Sequence, residues 1–378
     1  MKYWNKATII NLQRLIFPDF PDNPQSMKSD LPEKKHNNAP LLRYLPGLAL
    51  ILAISLPARF LQSLLTVNGK EVVSAVAIAI ILGIAIRNLI GLPDNCKPGT
   101  NFAVKRILRI GIALMGAQLS LDQVLRTGAS SVLVVFACIV SAILVVRFVS
   151  MRMGMSDRLG TLLGVGTSIC GVSAIVATAP IIDAREEETA LAVTTITVFG
   201  LIAVLLYPLL GRLWDLSDNF FGTWAGVAVN DTSQVVATGL IFSQRSGEIA
   251  TVVKLTRNLF MAPVMVTLSW FCLKQRQRDG ETKCGESRIK LSQAVPLFLL
   301  GFLGLAVLNS LGLFQPAVRH AIQSVSQFLI VAALAGVGLE TNVGAMKKIG
   351  LRPFYAGLCA AVFMAVLSFG LITLAGIG

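Results

Sequence analysis

Five consecutive polar residues, Asn230, Asp231, Thr232, Ser233 and Gln234, interrupt an otherwise apolar run, FGTWAGVAVNDTSQVVATGLIF. An aspartate at mid-membrane costs about 2.5–3.5 kcal/mol on insertion scales, so it needs a partner or a purpose. The order Asn-Asp-Thr-Ser is also a helix N-cap pattern, which predicts that a helix starts there. Its open N–H groups and positive dipole end would suit an anion. The plainer alternative is a surface loop between two shorter elements.

A second cluster lies upstream in GTLLGVGTSICGVSAIVATAPII, residues 160–182. There Gly164, Gly166 and Gly171 flank Thr167, Ser168, Cys170 and Ser173, and Pro180 follows. Glycines beside hydroxyls predict an unwound binding loop, which is tolerated at membrane depth only when buried in protein or lining a cavity. The competing reading is a small-residue face for close helix packing. Downstream, Lys254, Arg257 and Asn258 stand at i, i+3 and i+4, one face of a helix. If buried, the two cations repel each other unless an acid or an anionic ligand compensates, and Asp231 is the nearest available acid. If shallow, they snorkel to the interface, as Arg87 and Arg109 are expected to do. Glu186, Glu187 and Glu188 read as a solvated end.

The elements that must position these residues follow from composition. Of 378 residues, 54% are hydrophobic and 14% charged, and the mean hydropathy is +0.71. Soluble domains carry about 25% charged residues, so an ordinary soluble protein is excluded. The apolar runs are long and continuous, which argues for helices of about 20 residues and against a barrel of alternating strands. Eleven segments fall at roughly 43–65, 72–92, 102–119, 129–150, 159–182, 189–211, 219–243, 249–273, 291–313, 321–339 and 351–376. The expected fold is an all-α polytopic membrane protein with nine to eleven crossings over 43–378. Residues 1–42 form a polar, Pro-rich cytoplasmic tail without a signal-peptide core, disordered or carrying a short interfacial helix over 2–17.

The net charge of +13 reads as topology and does not call for a nucleic-acid partner. With the N-terminus inside, 23 of the 33 Lys and Arg fall on the cytoplasmic side. That places the C-terminus outside, periplasmic or extracellular. The six cysteines include no C-x-x-C pair, and His36 and His320 lie outside the apolar segments. No metal site, cofactor or disulfide framework is signalled.

Two internal similarities appear. Residues 173–193 match 233–253 at an offset of 60, including Ser173/Ser233, Arg185/Arg245 and Glu188/Glu248. At an offset of 220, Ala113-Leu114-x-Gly116-x-x-Leu119 matches Ala333-Leu334-x-Gly336-x-x-Leu339. If the segments at 159–182 and 219–243 are re-entrant rather than crossing, the first repeat becomes inverted, a recurring transporter plan. The charge count does not choose, because exchanging Arg185 for Arg212 leaves the split unchanged.

The stretches G-T-S-I-C-G-x-S-A-I-V-A, the following E-E, F-G-x-W-A-G-x-A-V-N-D-T-S-Q-V-V-A and K-L-T-R-N together resemble the UPF0324 family of bacterial inner-membrane proteins. This family includes the YeiH-like proteins, and its other name points to sulfate export. The resemblance covers roughly residues 43–378. It implies kinship with the broad cation:proton antiporter and anion transporter grouping, in which two interrupted helices cross at the site.

Residues and resemblance together predict a secondary transporter of small inorganic or sulfur-containing anions, such as sulfate, sulfite or a sulfonate, moved outward by an ion gradient. Thr167, Ser168, Cys170, Gly171, Ser173, Asn230, Thr232, Ser233, Gln234, Lys254, Arg257 and Asn258 are the expected substrate contacts, with Asp231 as the H⁺- or Na⁺-coupled switch. No nucleotide-binding motif is present. The alternative is a monovalent cation:proton antiporter. An enzyme using Cys170 or Ser168 is disfavoured, because no histidine base lies within a segment. The partners expected are the bilayer, the anion, the coupling ion and a second copy in a homodimer.

Overall fold

A computed structural model describes residues 43–64, 66–67, 70–71, 74–278, 297–342, 344 and 350–377. The expectations for the tail lie outside the described residues. The helices are α1 (Leu45–Leu64), α2 (Ala75–Leu89), α3 (Lys97–Phe102), α4 (Leu108–Met115), α5 (Leu121–Arg152), α6 (Asp157–Ser168), α7 (Val172–Thr178), α8 (Glu186–Leu213), α9 (Asp218–Ala228), α10 (Thr232–Phe242), α11 (Gln244–Leu259), α12 (Met261–Arg278), α13 (Leu297–Ser310), α14 (Pro316–Glu340) and α15 (Leu351–Leu374). A π-helical turn, Ala103–Ile107, joins α3 to α4. A minimal antiparallel hairpin, β1 (Thr66–Val67) and β2 (Lys70–Glu71), lies between α1 and α2, with Thr66 paired to Glu71.

Six spans of the described residues are long and apolar enough to cross a bilayer: α1, α5, α8, α14, α15 and the continuous run Gln244–Cys272 through α11 and α12. Starts are set locally. Ser74, Ser120, Ser156, Ser217, Asp231 and Ser243 each accept a hydrogen bond from a first-turn amide of the helix that follows. The apolar run expected at 249–273 is not one regular helix, because the ladder is reset at Phe260 between α11 and α12.

Two packed units result. In the first, α1, α2, α4, α13 and α14 share one apolar core, which continues into buried residues of α10 and α11 where the units meet. There α2 lies close along α14, Gly83 meeting the backbone of Ala335 and Leu339. In the second, α5, α6, α8, α9, α11 and α15 enclose the remaining cores. The segments singled out at 159–182 and 219–243 both belong to this second unit.

Both segments double back. Ser243, at the end of α10, donates to Asp218 Oδ1 at the start of α9 (2.6 Å). Phe221 and Phe242 stack across the same mouth with centroids 4.0 Å apart. Thus α9 and α10 form a helical hairpin whose tip is Val229–Asp231. Likewise Ser156, before α6, donates to Glu188 in the first turn of α8 (2.5 Å). The chain therefore returns through α7 to the level where α6 began, with its tip at Ile169–Gly171.

The helix α8, about 42 Å long at 1.5 Å per residue, starts beside the first mouth and ends beside the second, where Arg212 donates to Ile241 O. The hairpins therefore approach from opposite ends of α8 and meet at their tips. The offset-60 similarity now has a structural meaning. Ser173 and Ser233 each stand in the first turn of a returning limb, and Arg185 and Arg245 each open the helix that follows.

Candidate functional site

The tips expose a problem that any helix end creates. The last turn of a helix has carbonyls without intrahelical partners, and where it is buried these need donors from elsewhere in the protein. Here α6 and α9 both end in the protein interior. Lys254 and Arg257, both fully buried on α11, supply the missing donors. Lys254 Nζ donates to Ile169 O (2.7 Å), Val229 O (3.2 Å) and Asn230 O. Arg257 Nε donates to Ser168 O (2.6 Å), Nη1 to Val227 O (2.6 Å) and Val229 O (2.8 Å), and Nη2 to Thr167 O. The negative ends of two helix dipoles thus face two buried cations.

This corrects the expectation that the pair needs Asp231 or an anion for compensation. The residues that compensate it are backbone carbonyls, and Thr167 and Ser168 take part through their main chain. Asp231 has a different task. Its Oδ1 accepts from Ser233 N (2.9 Å) and Ser233 Oγ (2.5 Å), capping α10. The predicted helix start is found, but a carboxylate already occupies the positive end expected to hold an anion.

The glycine cluster divides. Gly164 and Gly166 lie within α6, pressed against the backbone of Ile143 and the side chains of Ile175 and Ile196. They serve packing, and the unwound stretch is shorter than the sequence suggested. Gly171 is the residue the turn requires. Its φ of +67° with ψ of −121° is a region that only glycine enters readily. A Cβ there would lie 3.4 Å from Asn230 O and 3.5 Å from Asp231 Cα. A side chain there would be in van der Waals contact with the other tip.

Around this contact the remaining candidates separate. Cys170 Sγ packs on Met261 Sδ at 3.7 Å. Asn230 and Asn258 are 4% and 7% exposed, and the side-chain oxygen of each has no hydrogen-bond partner. Gln234 turns to α8, where its amide donates to Thr197 O (3.1 Å) and its buried oxygen is unpaired. Asp231, Thr232 and Ser233 are half-buried. Ser173 points outward with Val176 on the exposed side of α7, away from the buried contacts. Glu188 is buried rather than solvated, held by Ser156, Arg185 N and Arg185 Nη2.

Sequence reasoning missed a polar chain between the units. Gln244 Nε2 donates to Gln118 Oε1 (3.2 Å) and Glu248 Oε1 (3.1 Å), and Gln327 Nε2 donates to Gln244 Oε1 (3.1 Å). Glutamines inside apolar runs were the available signal.

Helices long enough to span, two buried helical hairpins and a cation pair held at their tips define a polytopic helical membrane protein. The chain belongs to the UPF0324 family of membrane proteins. Residues 46–357 match the family described as "Conserved hypothetical protein 698". The chain is similar to a UPF0324 membrane protein of Clostridium tetani, 33% identical over 334 residues, covering 86% of this chain and 96% of the relative. It is similar to one of Streptococcus pyogenes serotype M18, 37% identical over 334 residues with the same coverage. A third, from Agrobacterium fabrum, is 34% identical over 333 residues, covering 87% and 93%. No solved structure matches the chain.

Proposed function

We propose that this protein is a secondary transporter of small oxyanions, with sulfate, sulfite and sulfonates as the candidate class, sited in the bacterial inner membrane. The observation that carries the reading is the meeting of two oppositely directed hairpin tips around Lys254 and Arg257. Irregular backbone at the centre of a membrane protein belongs to substrate sites in transporters built from inverted repeats. In this reading both hairpins are re-entrant, one from each face. The six long spans, with α2, α3–α4 and α13 counted as three more, give nine crossings, with the N-terminus cytoplasmic and the C-terminus outside.

The cations do not grip the anion directly. They hold the tips; the carbonyls that satisfy their hydrogen bonds carry only partial charge, so two formal positive charges stand against the one carboxylate of Asp231, which favours an anion nearby. The amides of Asn230 and Asn258, whose oxygens have no partner, and the hydroxyl of Thr232 are the groups left to contact it. An amide can turn its N–H₂ toward the ligand. Asp231, half-buried at the tip, is the group for a coupling proton or Na⁺.

A specific observation supports a second reading, the cation:proton antiporter. The unpaired oxygen of Asn230 belongs to the residue next to Asp231, that of Asn258 stands on the same helix as Lys254, and oxygen ligands suit hard cations. Flux measured in proteoliposomes of the purified protein separates the two. Sulfite or sulfate movement that Asp231→Asn abolishes supports anion transport. Na⁺-dependent proton movement with no oxyanion flux assigns the antiporter, and no flux of either kind rejects both.

A further inference from the structure

A long apolar groove of about 800 Å³ runs between α8 and α15. Leu206, Val362 and Val366 along it are exposed, so it opens to the bilayer. Pockets that enclose a small-molecule ligand measure about 300–1,000 Å³. Phe199 and Phe354 meet at one end with ring centroids 5.2 Å apart, and Trp214 and Phe369 at the other, 5.6 Å apart. Between these ends the lining is small at Ala203, Ala361 and Ala365. At Gly370 an added Cβ would meet nothing within 4 Å. Apart from Tyr207 and the two indoles, every side chain among the described residues that line the groove is a hydrocarbon. The indole of Trp224 already donates to Ala365 O (3.0 Å).

From Phe354 to Gly370 the groove follows about 24 Å of helix at 1.5 Å per residue. One leaflet offers only about 15 Å of hydrocarbon, half of a core of about 30 Å, so the shape suits an extended chain. Arg352 stands two residues before Phe354, exposed, and in no ion pair among the described residues. Its guanidinium rests beside Gly154, 3.5 Å from where a Cβ there would lie. Gly154 turns the chain between α5 and α6, with Arg152 and Arg158 on either side. The acid of this turn, Asp157, is held by Arg147 (2.5 Å). The groove therefore ends in positive charge on the side where the proposed topology places the cytoplasm. That charge complements a phosphate carried on a hydrocarbon chain. A second copy fits worse: a two-fold pair packed through this groove would set Arg352 of one copy against Arg352 of the other.

We propose that the α8–α15 groove binds one anionic glycerophospholipid, its phosphate at Arg352 and one acyl chain laid along the groove. This concerns lipid binding alone and holds whether or not the chain transports anions. Lipid tails are as apolar as the wall, so concave packing and headgroup charge, not a hydrophobic gain, retain the lipid. Trp224, with Tyr207 stacked on it at 4.5 Å, lines the groove and belongs to α9. The bound chain therefore braces the second hairpin from the bilayer side.

The test uses the full-length protein with Trp4, Trp214 and Trp270 replaced by Phe, which leaves Trp224 as the sole tryptophan. Trp224 is 2% exposed, so it is shielded from lipid outside the groove. In phosphatidylcholine nanodiscs its emission is followed as phosphatidylglycerol or phosphatidylcholine, each brominated near the chain end, is added at the same low fractions. The expected result is saturable quenching with phosphatidylglycerol preferred about fivefold, the worth of one basic residue at a membrane surface. Arg352→Gln removes the preference, and Ala361→Phe, which fills the groove, removes the quenching. Gly370→Leu projects a side chain into open space and lowers the quenching too, which covers an Ala361→Phe protein that does not fold. Native mass spectrometry of the same samples should find one phosphatidylglycerol retained per chain. No quenching, equal quenching by the two headgroups, or quenching that ignores both groove-filling variants overturns the proposal. So does a dimer whose Trp224 neither lipid reaches, which assigns the groove to a second copy.

Discussion

Replacing Lys254 by Met separates a cation that binds a ligand from a cation that builds the site. The ammonium is the sole donor to Ile169 O and Asn230 O among the described residues, whereas Val229 O keeps Arg257 Nη1. Methionine therefore leaves two buried carbonyls without a partner, at about 1–3 kcal/mol each. Relief of repulsion against Arg257 and of the buried charge offsets part of this, leaving a net loss of about 2–4 kcal/mol. The Arg257→Met variant strands three carbonyls, those of Thr167, Ser168 and Val227, and is destabilised more. The assay is thermal unfolding of purified protein in mild detergent, without sulfate or phosphate, followed by tryptophan emission. Trp224 stacks on Tyr207 at 4.5 Å and sits on α9, so it reports on the second hairpin. The transition should fall by roughly 4–16 °C for Lys254→Met, and further for Arg257→Met. A Lys254→Met protein as stable as the parent, or more stable, in the absence of anion would refute the reasoning. It would mean that the charge awaits a ligand rather than satisfying the backbone.

Three other outcomes are expected. Asp231→Asn keeps an acceptor for Ser233 N, so stability changes by less than about 1 kcal/mol, whereas Asp231→Ala loses the cap and about 1 kcal/mol; ion-driven flux and its pH dependence, read in proteoliposomes, vanish in both. Gly171→Ala forces a side chain into a backbone region reserved for glycine and against Asn230, and costs about 1–3 kcal/mol, measured by the same thermal unfolding. The double variant Gln244→Cys/Gln327→Cys places two thiols where side-chain ends meet at 3.1 Å between the two units, so a short bifunctional methanethiosulfonate should bridge them, stop flux and release it on reduction; flux that continues in fully bridged protein would show that the units need not separate there.

The polar interruptions in an apolar chain were legible as the centre of the fold, because at membrane depth a run such as Asn230–Gln234 has no cheap explanation. The cap at Asp231 and the shared face of Lys254 and Arg257 were also legible, since both depend only on local spacing. Whether the two segments cross or return was not. That outcome depends on one torsion at Gly171 and on contacts between residues far apart in sequence, such as Ser156 with Glu188 and Asp218 with Ser243. The positive-residue count is blind to it. The partners of Lys254 and Arg257 were hidden for a related reason: main-chain carbonyls carry no letter in the sequence. Gly164 and Gly166 look like Gly171 on paper, and only their neighbours in space tell packing from turning.

The clamp on α11 also imposes an order on assembly. Both hairpins are synthesised before Lys254 and Arg257 leave the ribosome, so each tip emerges with bare carbonyls and no donor to meet them. Both tips draw their donors from α11, so the site is complete only once that helix is in place. A chain truncated at Ser243 would hold every residue of both hairpins and still lack the means to keep them inside.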